Sequence, residues 1–532
     1  MNYAALFRAT LPETALEIAA LLVLVVDLGF LRKAANTTRI AAAALLGVAG
    51  CAAALSAVVA VPCGYSYGSN VLLIALGSAG VAQCAILILT ALTLLLLIDS
   101  DFTRNAGEYV AVVLMAAAGG LIISAAQDLL VIFTGLELLS LGLYILTAFA
   151  KQSGKSAEAA IKYYLFGGMS AAFLLFGFSY LYGLSGSTYL PRVVYGVNVA
   201  GTQGGAPLLA IALVMIAAGL GFKVAAVPFH FWAPDTYEGA PAPAAAFIAS
   251  VSKVASFALL ISISYTALEY FQILMRDAHV KGYVYVTTGT RSMSGPPHAA
   301  LNLFYGWWLI LVVLSVASMV FGNLAALAQT SVRRLLAYSA IAHAGYILLG
   351  LAFFGWSNVS AQAILYYIVT YGLTTIGAFG VVGVVERATG SDRMDAFLGL
   401  HKRNPLLAAV LLVLFLSLAG IPPLVGFWAK FNLFAAVLTL GSGPSPAPWP
   451  LSSLPTAPLV LVALAIAFSA VSLYYYLQVL KRAYVMPASD ESPIRAHPVT
   501  MTVLIAIAAA VLVLGCFPAM LQNWIAAFYP AM

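Results

Sequence analysis

Lys223, Lys253 and Lys430 each sit inside an apolar run long enough to cross a bilayer, and Glu137 does the same. The chain is 63% hydrophobic and only 8% charged, so ionisable groups are otherwise kept out of such runs. A charge near the bilayer centre costs at least about 2.5–3.5 kcal/mol on insertion scales. Four of them therefore point to an internal polar path. Lysine is a donor and a base rather than a metal ligand, so the chemistry suggested is proton transfer.

Glu137 lies about ten residues into LLVIFTGLELLSLGLYIL, close to mid-bilayer at 1.5 Å per residue. Lys223 stands five residues before Pro228, with no acidic neighbour in its own run. Burial disfavours a charged lysine and a nearby carboxylate favours it, so a Glu137–Lys223 pair is expected to act as a gate. Lys253 is flanked by Ser250, Ser252 and Ser256, whose hydroxyls suit a water wire. Lys430 follows Pro422 and Pro423 in GIPPLVGFWAKF. His343, in LLAYSAIAHAGYILLG, and His230, beyond Lys223, are further relay candidates, because an imidazole can pass a proton between its nitrogens. The alternative for both is a neutral ring satisfied by backbone. Lys162 is either a relay member or a lysine reaching to the membrane surface. Tyr338 reads as packing, Asp27 as an interfacial charge beside Arg32 and Lys33, and Asp235 and Glu238 as loop residues in WAPDTYEGAPAP.

The elements that must position these groups are membrane helices. Mean hydropathy is +1.01, and runs of roughly 20 apolar residues predict an all-α polytopic membrane protein with about 14 spans. The twelfth, 405–439, is too long and too interrupted for one straight helix. Lysines and arginines give the orientation, since short cytoplasmic loops carry the excess. Arg32, Lys33 and Arg39 follow the first span, and alternation from there puts 15 basic residues inside and 5 outside. Both termini are expected outside, and the net charge of +6 is a topology signal that gives nucleic-acid binding no support. The N-terminal run reads as a retained first helix, because Glu13 and Glu17 open it and Arg32 and Lys33 stop it. Cys51, Cys63, Cys84 and Cys516 lack CxxC spacing, so neither a metal site nor a cluster is expected, and no nucleotide fingerprint occurs.

Prolines break spans seven and twelve, five apart. In lipid, a proline break persists only where the freed carbonyls line a polar interior. Because five is odd, a repeated five-helix unit would be inverted, as in inverted-repeat transporters. The expected division is 1–107 (helices 1–3), 108–271 (first repeat), 272–301 (outer loop), 302–485 (second, inverted repeat) and 486–532 (helix 14). Segments 183–205, 266–301 and 441–458 read as irregular outer connections, and 387–404 as a surface segment for a partner domain.

FTGLELLSLGLYIL, AIKYYLFGGMSAAFLLFGFSYLYG, GFKVAAVPFHFWAPDTYEGAPAPAAAFIASVSKVASF, LLAYSAIAHAGYILLG and GIPPLVGFWAKFNLF together resemble the antiporter-like membrane subunits of respiratory complex I, NADH-quinone oxidoreductase. The KYYLFGG start of span six is similar to the subunit N branch, including mitochondrial subunit 2, more than to subunits L and M. The resemblance runs from about residue 108 to 485, and the 272–300 loop departs from it. It implies a proton channel of inverted repeats, with Glu137, Lys223, Lys253 and Lys430 matching proton-transfer positions. It also implies that FMN, iron–sulfur clusters and quinone are held by partner subunits, that this chain holds no cofactor, and that its site is the bacterial inner membrane. Two other readings remain at this point: a subunit of an Mrp-type cation/proton antiporter, and a non-pumping scaffold.

Overall fold

A computed structural model describes residues 7, 10–60, 77–200, 205–280, 298–354, 358–439, 456–488 and 492–528. Uniformly apolar helices leave lipid or protein as their only surroundings, and the chain meets this by packing them into one helical bundle. The helices are α1 (Leu11–Val25), α2 (Asn36–Ala60), α3 (Gly77–Leu97), α4 (Ala106–Ala125), α5 (Leu129–Thr147), α6 (Gly154–Ser185), α7 (Leu190–Ala200), α8 (Ala206–Val224), α9 (Trp232–Gly239) and α10 (Ala242–Phe247). They continue as α11 (Lys253–Val280), α12 (His298–Leu327), α13 (Val332–Ala352), α14 (Asn358–Thr389), α15 (Leu400–Arg403), α16 (Pro405–Ala419), α17 (Val425–Leu438), α18 (Ala457–Tyr484), α19 (Pro498–Cys516) and α20 (Pro518–Phe528).

Among the described residues, 12 helices are long and apolar enough to cross a membrane. The broken pair α16/α17 adds two shorter apolar helices, and α1 is prolonged by a π-turn over Val26–Phe30. α13 and the helix over Ala242–Ala267 form the centre of the bundle, each 94% buried. By contrast α18 lies at the periphery, 17% buried. Glycines let the central helices approach closely. A Cβ on Gly345 would lie 2.7 Å from the Met319 backbone nitrogen, and one on Gly119 2.6 Å from that of Leu139.

Three expectations are corrected. Segment 183–205 is not simply irregular, since it contains α7. Helix extends into the expected 272–301 loop from both sides, to Val280 and from His298, and residues 281–297 lie outside the described set. Asp27 pairs not with Arg32 or Lys33 but with Arg39, which donates two hydrogen bonds to it at 2.7 Å. It also accepts from the Gly107 amide. Asp27 is 1% exposed, and a carboxylate so buried takes the cation that a neighbouring helix aims at it. Outer segment 441–455 also lies outside the described residues.

Both predicted breaks are present. α8 ends at Val224 with Ala225 in the left-handed conformation (φ +57°), and α16 ends at Ala419 with Gly420 likewise (φ +87°). A third irregularity, a π-turn over Ile248–Ser252, separates α10 from α11. Such single π-turns are frequent at functional sites in helices, and this one leads directly into Lys253.

Candidate functional site

Each of the three lysines stands at one of these discontinuities. Their exposures are 6% (Lys223), 3% (Lys253) and 5% (Lys430). The described residues give none of the three an ion pair within 4.0 Å.

Lys430 lies one turn into α17 and folds back on the break. Its Nζ donates to the Leu418 carbonyl at 3.1 Å, the Ala419 carbonyl at 3.0 Å and Ser469 Oγ at 2.9 Å. In a continuous helix those two carbonyls would bond the amides four residues on, which here are Pro422 and Pro423. Neither has an N–H. The ammonium therefore supplies the donors that the two prolines withhold.

Lys223 occupies the last turn of α8. Its Nζ donates to Ser140 Oγ on α5 and lies over the rings of Phe222 (5.5 Å) and Tyr144 (6.0 Å). Glu137 is one turn from Ser140 on the same helix, and among the described residues it makes no ion pair with Lys223 within 4.0 Å. Glu137 itself is only half-buried, on a helix face that also exposes Leu130 (58%), Leu141 (49%) and Ile145 (50%). His230 sits in the connection between α8 and α9. It is buried against Phe231 (4.5 Å) and Phe321 (4.7 Å), with Nδ1 unpartnered.

Lys253 Nζ donates to the Ala340 carbonyl of α13 at 2.5 Å and lies 5.9 Å from the Tyr371 ring centre. His343, on the same helix as Ala340, stands between the two deeper lysines. Its ring centre is 4.9 Å from that of Tyr371 and 5.9 Å from that of Tyr346, which in turn is 5.5 Å from Lys430 Nζ. His343 Nδ1 bonds Tyr367 Oη at 2.8 Å, while Nε2 has no partner. The line Lys253–Tyr371–His343–Tyr346–Lys430 thus runs through the buried centre as an aromatic-walled series of groups that can each hold or release a proton. Sequence reading missed the three tyrosines. For two of them the signal was the four-residue spacing of Tyr367 and Tyr371, which puts both on one face of α14.

Lys162 is not part of this line. It is 41% exposed and pairs with Glu158 (2.7 Å) and Asp235 (2.8 Å). Asp235 and Glu238, expected in a loop, lie instead on α9 and form an ionic cluster. Arg334 bonds both, at 2.7 and 3.0 Å, and Lys155 bonds Glu238 at 3.2 Å. Arg333 reaches past them to the carbonyls of Glu238 (2.8 Å) and Ala240 (2.5 Å). Burial works against the Asp235 carboxylate, but hydrogen bonds from Lys162 and Arg334 outweigh it and hold the group below the usual carboxylate range. Glu238 behaves the same way through Arg334 and Lys155. The cluster ties α6, α9 and α13 together at the end of the bundle that also carries Arg387 and Arg393. Tyr338 packs at a tilt near Phe321, 6.4 Å between ring centres.

The profile of the family described as "NADH:quinone oxidoreductase/Mrp antiporter, TM" matches residues 126–278 and 298–443. NADH-quinone oxidoreductase subunit N 2 of Acidobacterium capsulatum is 45% identical over 537 residues, covering 99% of each chain. A chain of respiratory complex I from Thermus thermophilus superposes with a TM-score of 0.71 at 31% identity, covering 96% of this chain and 98% of that one. A chain of the Mrp complex from Dietzia shares the fold, with a TM-score of 0.73 at 19% identity over 98% of this chain and 96% of that one. On these grounds the chain belongs to the NADH:quinone oxidoreductase/Mrp antiporter transmembrane family, in its NADH-quinone oxidoreductase subunit N branch.

Proposed function

We propose that the chain is a proton-translocating membrane-arm subunit of an NADH-quinone oxidoreductase, driven by electron transfer in partner subunits. The observation that carries this reading is the buried line Lys253–His343–Lys430, in which neither lysine meets a carboxylate within ion-pair distance. A lysine pinned by a carboxylate holds its charge. One that bonds only carbonyls and hydroxyls can release a proton to a neighbour and take one back. Glu137, Ser140 and Lys223 form the entry to this line, with Ser140 as the group Lys223 rests on while Glu137 is not engaged.

A partly exposed carboxylate at mid-membrane is not stable against lipid, so the Glu137 face of α5 is covered by a neighbouring membrane subunit. Residues 108–271 and 302–485 act as two inverted five-helix units, each broken next to a lysine. The end bearing Lys155, Arg333, Arg334 and Arg387 faces the bacterial cytoplasm, and the termini face outward. Flavin, iron–sulfur and quinone chemistry then resides on partner subunits. His230 and Lys162 have secondary roles, the first lining the α8 break and the second anchoring α9.

The test is Glu137→Ala and Lys223→Ala in the whole complex, reconstituted into vesicles, with NADH-driven acidification followed by an enclosed dye. Both variants are expected to assemble and to lose most pumping. Parent-like pumping in an assembled variant would remove that residue from the path. Sodium or potassium exchange without electron transfer would instead favour an antiporter.

A further inference from the structure

A cavity of about 230 Å³ lies at the basic end of the bundle, with Gln329, Asp395, Tyr475 and Arg482 among its walls. One of those walls leads inward. Tyr475, on α18, is 1% exposed, and its hydroxyl donates to Asn323 Oδ1 at 3.2 Å. Asn323, on α12 and fully buried, donates from Nδ2 to the Met319 carbonyl at 2.7 Å and to Tyr346 Oη at 3.1 Å. Tyr346 is the ring that packs between His343 and Lys430. A hydrogen-bonded chain therefore runs from a tyrosine in the cavity wall to the wall of the central line.

The chemistry of its middle member matters. A tyrosine hydroxyl accepts and donates through one oxygen, so it can take a proton on one side and release one on the other. A carboxamide divides these jobs: its oxygen accepts and its nitrogen donates. A proton arriving at Oδ1 leaves the group only if Nδ2 gives one up, which turns the amide into its unstable imidic acid tautomer. Asn323 thus carries hydrogen bonds across the chain without carrying protons.

We propose that Asn323 is an insulating link, holding Tyr346 and Tyr475 in place while preventing the cavity from making a proton wire to Lys430. The inference rests on the proton-translocating reading above. A station reachable by wire from one face while it exchanges protons with the other would short-circuit the gradient, so a pump needs such a break.

The experiment replaces the amide by a group that does pass protons. The whole complex carrying Asn323→Asp is reconstituted into phospholipid vesicles, and passive proton entry is followed without NADH. The leak is expected to rise at least about tenfold over the parent, a modest part of the ~10²–10⁴-fold that a positioned acid–base group supplies. Asn323→Ser, whose lost volume a water can fill, is expected to leak as well, and it decides the matter alone if the Asp complex does not assemble. Asn323→Leu should stay as tight as the parent.

Tight vesicles with Asp and Ser would overturn the inference, and so would an equal leak with Leu, which would mean disturbed packing. NADH-driven pumping of the parent in the same vesicles separates the two levels. A parent that does not pump sinks the proton-translocating reading and this inference with it, whereas a pumping parent with a tight Asp variant sinks the insulating link alone.

Discussion

Lys253→Met and Lys430→Met remove the same charge from equally buried sites, yet the structure predicts different effects on stability. The cost of burying an ammonium, several kcal/mol per ion, is relieved in both and cancels in the comparison. What differs is the group left behind. Ala340, the acceptor of Lys253, lies inside α13, where the helix itself supplies the Ala344 amide. Leu418 and Ala419 have no such reserve, because Pro422 and Pro423 stand where their amides would be. Leaving two buried carbonyls without a donor costs about 1–3 kcal/mol each. Lys430→Met should therefore be less stable than Lys253→Met by about 2–6 kcal/mol. Heat-induced loss of assembled, solubilised complex measures this, with both variants in the same detergent. Equal midpoints would refute the claim that Lys430 serves the carbonyls of the broken helix.

Three further outcomes follow from the same geometry. Gly420→Ala should destabilise the chain by about 1–2 kcal/mol, since φ is +87°, and should slow pumping, since the new methyl would sit 3.0 Å from Lys430 Cδ; heat stability and vesicle acidification read the two effects. Ser140→Ala removes the hydroxyl on which Lys223 rests and is expected to cut pumping roughly ten- to a hundredfold, the loss of one hydrogen bond to a charged group, while a parent-like rate would deny Ser140 a part. The α9 cluster has a defined pH dependence. With the folded-state values of Asp235 and Glu238 lowered, their stabilisation is complete above the unfolded values of about 3.9 and 4.3 and is lost as pH falls through the lower folded ones. Asp235→Asn should therefore weaken heat stability at neutral pH and flatten its decline in acid, and an unchanged pH profile would contradict the assignment.

Much of the site was legible from sequence because membrane helices make charge conspicuous. The three lysines, their burial and both proline breaks follow from hydropathy and from what proline withholds. Even the partners of Lys430 were within reach: Pro422 and Pro423 name Leu418 and Ala419 as the deprived carbonyls. What the sequence could not give is the angle at which α17 returns, which decides that Lys430 meets them. Lys223 rests on Ser140, one helical turn from Glu137. Residues 137 and 140 share a face of α5, and only the depth at which α8 ends selects the serine. WAPDTYEGAPAP read as a loop because its prolines and glycine outweighed a short helical stretch. Asp235 and Glu238 are three apart on one helix face, but the cations that make them a cluster come from α6 and α13, far away in sequence. Asp27 likewise waits for Arg39, twelve residues on, across a turn whose path composition does not fix.

The central claim is that Lys253 and Lys430 exchange protons rather than merely stand charged. Arginine separates the two, since its guanidinium keeps a positive charge but does not deprotonate at working pH. The most direct measurement is NADH-driven acidification of vesicles holding the assembled complex with Lys→Arg and Lys→Gln at each position. The account predicts that all four variants pump poorly. Arginine variants that pump like the parent while the glutamines fail would contradict it and leave the lysines as fixed electrostatic posts.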